Sequence, residues 1–264
     1  MSNRSSRRQR FRPASPAVPP APATDPALEA ELLRRLLYRD GHVLILDKPA
    51  GIPVHAGPSC RHSLEEGFAA LTFGLPRRPA LAHRLDRDTS GCLVLGRHPR
   101  ALRRLGVLFA AGEVRKTYWA VVQGQPATAQ GWIDLPLRKE TFHHNGHRGW
   151  IMRSHPEGQP ARTFYRVLAT AESLTWIAFF PKTGRTHQIR AHAAALGCPL
   201  LGDPLYNPAP PAAPLHLHAR SLVIPYAAEK PPLRAQAPLP PHFQTTFARV
   251  LWDGEAGDAA CFVD

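Results

Sequence analysis

The chain has 264 residues, of which 44% are hydrophobic. That length and composition suit one large globular domain, alone or with a tail. Its net charge of +13 and isoelectric point near 10.4 are unusually basic, and they predict a polyanionic partner.

The distribution of cysteines and apolar residues excludes several protein classes. The four cysteines are scattered without a C-x-x-C pair, which argues against a disulfide scaffold and against a zinc site. No apolar run approaches the roughly 20 residues of a membrane span. The arginines near the N-terminus are not followed by the apolar stretch of a secretory signal. We therefore expect a protein of the reducing cytoplasm with no membrane partner.

The N-terminal segment differs in composition from the rest of the chain. Residues 1–26 are rich in Arg, Ser, Pro and Ala, and their one aromatic residue is Phe11. Such a segment cannot bury enough apolar surface to offset the entropy of ordering. We predict a disordered basic tail over residues 1–26 and a folded domain over residues 27–264. The first 24 residues contain five arginines and no acid, so the other 240 residues still have a net charge of +8.

Helix and strand patterns are mixed along the folded part. A leucine stripe predicts a first helix over residues 27–37. Apolar, β-branched and aromatic runs predict strands over residues 43–47, 92–96, 114–123, 162–169 and 174–180. Further helices are predicted over 99–111, over 186–196 with a Thr186 cap and Gly197 past the end, and from Pro240 onward. A rigid proline-rich loop covers 208–214. The mixture predicts an α+β domain around a large, mostly antiparallel sheet flanked by helices.

The most informative segment is residues 83–91, with the sequence HRLDRDTSG. It places Asp86 between Arg84 and Arg87, in a turn just before an apolar strand. A nearby cation favours the charged form of an acid, so Asp86 should be ionised at neutral pH. An ionised carboxylate suits a nucleophile or a base better than a proton donor. By composition alone, the segment is equally consistent with a surface turn whose polar residues bond to their own backbone.

These nine residues resemble a signature of the RluA-type pseudouridine synthases, enzymes that isomerise uridine within structured RNA. Three further segments in the same order are similar to blocks of that family: 44–55 (LILDKPAGIPVH), 116–122 (KTYWAVV) and 183–190 (TGRTHQIR), the last continuing to 202–206 (GDPLY). The resemblance covers roughly residues 38–250. It implies a single catalytic domain with the mixed sheet of the pseudouridine synthase fold. It also implies ribosomal or transfer RNA as substrate, no cofactor and no metal, and we expect a monomer.

The resemblance also implies roles for single residues. Asp86 matches the catalytic aspartate, although whether it attacks the ribose or the base stays open. Tyr118 matches an active-site tyrosine that stacks on uracil or accepts the C5 proton. Arg185 precedes a predicted helix whose dipole disfavours a cation, and it matches an arginine paired with the catalytic aspartate. Arg84 matches an arginine that fills the stack after the target nucleotide is flipped out.

Other basic residues complete the predicted RNA contacts. Lys48, Lys116 and Arg190 are interpreted as phosphate ligands, with solvated surface positions as the alternative. Arg87 is placed with them as a substrate contact. His83 is either a phosphate contact or a turn histidine that bonds to the backbone.

A histidine-rich segment lies between two of the predicted strands. His143, His144 and His147 surround Asn145 and Gly146. The spacing matches no common zinc pattern, and an Asn-Gly pair is typical of a turn. We interpret the segment as a basic surface loop that approaches RNA.

Two other functions fit parts of the sequence. Asp86 and Asp88 would lie roughly 6.5–7 Å apart in an extended chain, a spacing near that of the acid–base pair of an inverting glycosidase or a nucleobase glycosylase. The two arginines argue against this, because a general acid has to hold a proton. A non-catalytic RNA-binding or ribosome-assembly protein using the same basic face is the second alternative.

Overall fold

The computed structural model describes residues 25–57, 62–144, 147–207 and 213–253, and it is built on one ten-stranded sheet. Ten strands form this sheet: β1 (Leu36–Arg39), β2 (Val43–Lys48), β3 (Ala80–Leu81), β4 (Ser90–Gly96), β5 (Arg115–Gln123), β6 (Gln130–Asp134), β9 (Arg162–Ala171), β10 (Leu174–Pro181), β11 (Leu217–Ile224) and β12 (Leu233–Gln236). The strand order is β1-β2-β4-β11-β5-β10-β9-β6, with β3 on β4 and β12 on β11. Among these pairs only β4 and β11 run parallel, so the predicted mixed, mostly antiparallel sheet is confirmed.

Helices cover both faces of the sheet. They are α1 (Pro26–Arg34), a 3-10 helix (Leu64–Leu71), α2 (Pro99–Ala110), α3 (Gln188–Ala195) and α4 (Pro241–Arg249). Strand side chains alternate between the faces, so that Leu44 and Leu46 pack on α1 and the 3-10 helix, while Val43 and Ile45 pack on α2. Farther along the sheet, α3 covers the first face and α4 covers the second. Tyr118 contacts both clusters of the first face and marks the seam between them.

The predicted elements differ from the structure in several places. The helix predicted over 27–37 ends at Arg34, because Leu36 pairs with Leu46 in the sheet. The predicted Thr186 cap is wrong: α3 begins at Gln188, and its N-cap is His187. Strand β11 was not predicted at all, although it lies at the centre of the sheet.

A separate hairpin, β7 (Leu137–His144) and β8 (His147–Ser154), packs against α3. The register pairs His144 with His147, as the predicted Asn-Gly turn requires, although Asn145 and Gly146 lie outside the described residues. The side chains of the three hairpin histidines are also not among those described, and the RNA contact predicted for them stays a prediction. Residues 1–24 of the predicted tail and 208–212 of the predicted rigid loop fall outside as well. In the four described ranges, no helix is long and apolar enough to cross a membrane.

Candidate active site

Asp86 lies in a turn just before β4, and hydrogen bonds from a buried side chain hold this turn in place. The backbone N–H of Thr89 donates to the carbonyl oxygen of Asp86 at 3.2 Å. Lys48, at the end of β2, is fully buried below the turn and donates from Nζ to the carbonyl oxygens of Pro49 (2.8 Å), Arg87 (2.8 Å) and Thr89 (3.0 Å). Burial lowers the pKa of Lys48 to about 7. The prediction of a phosphate ligand is therefore wrong for Lys48, which positions the turn instead.

A glycine allows β4 to start against a close neighbour. Gly91 has φ +104, and a Cβ atom there would lie 2.3 Å from the carbonyl oxygen of Ala219. Gly91 and Ala219 are partners in the parallel pairing of β4 with β11. Only a residue without a side chain fits at position 91, where the Asp86 turn enters the sheet.

The Asp86 carboxylate faces the first turn of α3. Its side chain is 19% exposed, and its Oδ2 lies 3.9 Å from Nε2 of His187 and 4.0 Å from Nη1 of Arg190. Arg190 is buried and makes a bidentate pair with Asp203, through Nε at 2.7 Å and Nη2 at 2.8 Å. Arg190 was predicted to bind phosphate, which is wrong, because its guanidinium lies inside the protein between two carboxylates.

Arg185 does not form the ion pair with Asp86 that was predicted for it. Its Nε donates to the carbonyl oxygen of Pro160 at 3.0 Å, and the side chain is exposed. The Gln188 side-chain oxygen accepts the Arg185 backbone N–H at 2.9 Å and the Thr183 hydroxyl at 2.7 Å. These bonds close a tight turn before α3, and Arg185 lies on its exposed side. Within the part of the chain that the structure describes, Arg190 is the arginine that reaches Asp86.

His187 is a site residue that the sequence analysis missed. It adopts a left-handed conformation with φ 51, which is uncommon for a residue other than glycine. The Tyr206 hydroxyl accepts the backbone N–H of Met152 at 3.0 Å and lies 3.2 Å from Nδ1 of His187. A neutral imidazole that accepts the hydrogen of this hydroxyl on Nδ1 has its own N–H on Nε2, toward Asp86. Burial lowers the pKa of His187, and the Trp150 ring stacks on it at 4.9 Å.

The second newly found group is the segment around Asp203. Asp203 is fully buried and accepts the backbone N–H groups of Leu205 (2.9 Å) and Tyr206 (3.1 Å) as well as the Arg190 guanidinium. Burial alone would raise the pKa of Asp203, but the hydrogen bonds and charge of Arg190 outweigh it, so the pKa is lowered. The GDPLY segment thus fixes both Arg190 and His187 beside Asp86. Its sequence had been noted, but no role had been assigned to Asp203 or Tyr206.

Tyr118 lies beside Asp86 with a free hydroxyl. Burial, and then the charge of Asp86, raises the pKa of this phenol well above its usual value. In the described ranges, no hydrogen-bond partner reaches the Tyr118 hydroxyl. Of the two roles predicted for Tyr118, this environment favours stacking and hydrogen-bond donation over service as a base.

These groups surround a cavity of about 100 Å³. Its apolar wall consists of the Tyr118 ring and aliphatic side chains, namely Leu85, Ile189 and Leu217. Arg84 and Arg185 are exposed at its rim, and Lys116 is half-buried there, with Nζ 3.4 Å from the carbonyl oxygen of Thr183. Burial lowers the pKa of Lys116 to about 8. The cavity therefore combines an apolar wall, one carboxylate and a cationic rim.

Two predicted contacts lie outside this cavity. His83 accepts the backbone N–H of Val94 on Nε2 at 3.0 Å and stacks on Phe109 at 4.6 Å. Burial lowers the pKa of His83 to about 3. The ring bonds to the backbone, as in the predicted alternative, and does not make a phosphate contact. Arg87 is exposed and pairs with Asp88, with Nε 3.1 Å from Oδ1. Neither arginine of the turn forms an ion pair with Asp86 in the described ranges.

Comparison with known proteins identifies the family. The model of the RNA pseudouridylate synthase family matches residues 42–195, more than half of the chain. The chain belongs to this family. It is 45% identical to an uncharacterized RNA pseudouridine synthase of Zymomonas mobilis, over 80% of this chain and 96% of that protein.

Two further relatives support this assignment. A ribosomal large subunit pseudouridine synthase C of Vibrio parahaemolyticus is 38% identical over 71% of this chain, which spans only 57% of that longer protein. Among solved structures, human RNA pseudouridylate synthase domain containing 4 superposes with a TM-score of 0.72 and 28% identity, over 85% of this chain and 96% of that one. The predicted fold and the predicted enzyme class, an RNA pseudouridine synthase, are both confirmed.

Proposed function

We propose that this enzyme isomerises specific uridines of structured ribosomal or transfer RNA through Asp86, acting in the cytoplasm as a monomer. The observation that supports the role of Asp86 best is its place in the cavity. Of the described residues that line the cavity, Asp86 is the only one with a carboxylate, and a cation and a histidine ring nitrogen face it. The name of the Vibrio relative favours ribosomal RNA among the possible substrates.

The reaction needs few groups from the protein. The bond between N1 and C1′ of the uridine breaks, a bond from C5 to C1′ forms, and one proton moves from C5 to N1. No electron is gained or lost. A single carboxylate can labilise the bond between N1 and C1′ and then carry the proton from C5 to N1. We assign both steps to Asp86. Arg190 and the Nε2–H of His187 stabilise its ionised form.

The other lining residues hold the substrate. Tyr118, kept protonated by burial, stacks on the uracil and donates a hydrogen bond while the base turns. Arg84 stands exposed at the rim, where its planar guanidinium refills the stack that the target uridine leaves. Lys116 and Arg185, also at the rim, bind phosphates next to the flipped nucleotide.

Replacement of the Asp86 carboxylate by an amide tests the proposal. Asp86→Asn should abolish isomerisation and leave RNA affinity almost unchanged, because the amide has the same shape but no charge. Pseudouridine is mapped by carbodiimide-dependent reverse-transcription stops in RNA from cells with and without each variant. Asp88→Asn is the matched control: it removes a carboxylate of the same turn that pairs with Arg87, and it should keep most activity. Appreciable turnover by Asp86→Asn would overturn the proposal.

A further inference from the structure

A second groove opens beside the active-site cavity. Its volume is about 320 Å³, and it shares Lys116 and Pro181 with that cavity. One side of the groove is formed by aromatic rings from three neighbouring strands: Trp132 of β6, Phe164 of β9 and Phe180 of β10. The two openings therefore lie at the same end of the sheet, with the cavity on the face that α3 covers and the aromatic rings on the face that α4 covers.

The three rings form a continuous row across the strands. Trp132 pairs with Phe164, and Phe164 with Phe180, in the strand register. Their ring centroids lie 5.2 Å and 6.0 Å apart. The outermost ring, Trp132, is 47% exposed, which is unusual for so large an apolar side chain at the edge of a sheet.

Four cations stand among the apolar and hydroxyl residues that line the rest of the groove. Arg115, Arg166 and Lys182 line it together with Lys116, and no carboxylate lines it among the described residues. Arg162 lies with Cζ 4.1 Å above the Trp132 ring and pairs with Asp134, Nε to Oδ2, at 3.6 Å. The guanidinium over the indole shows that the ring face already accommodates a planar cationic group by stacking.

We propose that this aromatic groove binds single-stranded nucleotides that flank the target uridine. Aromatic rings that stack bases, interleaved with cations that neutralise phosphates, are the chemistry by which proteins hold single strands. Paired bases inside an A-form helix could not reach the rings. A second copy of this chain would bring a like-charged groove and be repelled. The inference rests on the proposed function, since it takes the strand to continue from the cavity past Lys116.

Binding of two probes tests the groove independently of catalysis. The probes are a labelled oligouridylate of about ten nucleotides and a blunt RNA duplex of the same length. Trp132→Ala should weaken oligouridylate binding about fivefold or more, the effect of one lost base stack, and leave duplex binding unchanged. Trp132→Phe, which keeps a ring, should retain most of the affinity. Equal affinity of Trp132→Ala and the wild type for the oligouridylate would overturn the proposal.

A matched pair of arginine variants separates local from overall charge. Arg166→Gln, in the groove, should weaken oligouridylate binding more than Arg103→Gln, which removes an exposed cation on α2. Equal losses from the two would show that only net charge matters, against the proposal. Sedimentation of wild type and Trp132→Ala adds a further check. A dimer that the variant dissociates would assign the groove to a second copy and overturn the inference.

Photocrosslinking of the unaltered protein keeps the test valid if a variant fails to fold. Oligouridylate containing 5-iodouridine should crosslink to Trp132 or Phe164, as mapped by peptide mass spectrometry. Crosslinks confined to other surfaces would contradict the groove. If the proposed function is wrong, the wild-type protein will form no pseudouridine. The binding measurements can still be interpreted in that case.

Discussion

At the scale of single residues, Lys48 shows how a cation can serve the active site without meeting the substrate. Its ammonium has three N–H donors, and three backbone carbonyl oxygens around the Asp86 turn accept them. Burial opposes the charge, whereas the carboxylates of Asp88, Asp86 and Asp47 favour it. The network therefore ties the residues that follow Asp86 to the end of β2.

Removing these donors should affect stability and turnover but not affinity. Lys48→Met keeps the length of the side chain and removes a donor from three carbonyl oxygens, of which that of Arg87 still accepts the Gly51 backbone N–H. We expect the free energy of unfolding to fall by at least about 2 kcal/mol, and the single-turnover rate to fall because Asp86 is no longer held. The dissociation constant for RNA should stay unchanged, since Lys48 is buried.

Urea unfolding and single-turnover rates at saturating protein measure the two effects of Lys48→Met. Lys230→Met, at an exposed lysine, is the control and should change neither. A stable Lys48→Met protein with much weaker RNA binding would show that Lys48 does bind a phosphate.

The sequence predicted part of the site, for a physical reason. Asp86, Tyr118 and Arg84 do line one cavity, as the family resemblance implied. Lys48 and Arg190 were misplaced because a basic residue looks the same in a sequence whether it meets phosphate or a buried oxygen. The partner of Arg190 is Asp203, thirteen residues away, and only tertiary structure brings them together.

At the scale of elements, the turn into α3 decides which arginine faces Asp86. The helix begins two residues later than the predicted Thr186 cap, and His187 takes a left-handed conformation at that point. Gln188 closes the turn with its side chain. As a result Arg190 lies against Asp86, and Arg185 lies at the rim.

Matched variants of these two arginines should separate their roles. Arg190→Gln leaves Asp203 buried without its cation, so it should lower the free energy of unfolding by about 3–5 kcal/mol and abolish turnover. Arg185→Gln should keep the single-turnover rate and weaken RNA binding, with the slope of log affinity against log salt reduced by about one unit. Thermal unfolding, single-turnover rates and salt titrations check both. Loss of turnover in Arg185→Gln but not in Arg190→Gln would support the predicted ion pair between Arg185 and Asp86.

Elements with a clear apolar pattern could be predicted, and the central strand β11, which mixes apolar with buried polar residues, could not. Strand β2 and helix α2 have regular patterns and were found. Strand β11 was missed because it contains His218, Arg220 and Ser221, all buried. His218 is satisfied by Ser90 Oγ at 2.8 Å, a partner 128 residues away.

At the scale of the whole molecule, the sheet places the proposed chemistry and the proposed strand binding at one end. The cavity lies at the seam between two clusters of one face, where Tyr118 touches both. The aromatic groove adjoins it through Lys116 and Pro181. The net charge of +8 outside residues 1–24 is consistent with an extended RNA contact across this end.

Buried histidines make the stability of the folded protein depend on pH. His216 and His218 are 1% and 0% exposed, and burial lowers their pKa values to about 4 and about 3. In the unfolded chain a histidine titrates near 6.5. As pH falls below about 6.5, the unfolded state therefore binds protons that the folded state does not. The stability present above that pH is lost progressively down to the folded pKa values.

Each of these two histidines should lower the free energy of unfolding by up to about 1.4 kcal/mol per pH unit in this window. Urea unfolding at several pH values between about 7.5 and 4.5 measures the slope. His218→Gln keeps a polar side chain but removes the titrating ring, so it should flatten the slope by about 1 kcal/mol per pH unit. His62→Gln is the control, because the His62 side chain is 88% exposed and the slope should not change. If His218→Gln unfolds with the wild-type pH slope, His218 does not stay neutral in the folded protein, and the acid sensitivity has to come from other groups.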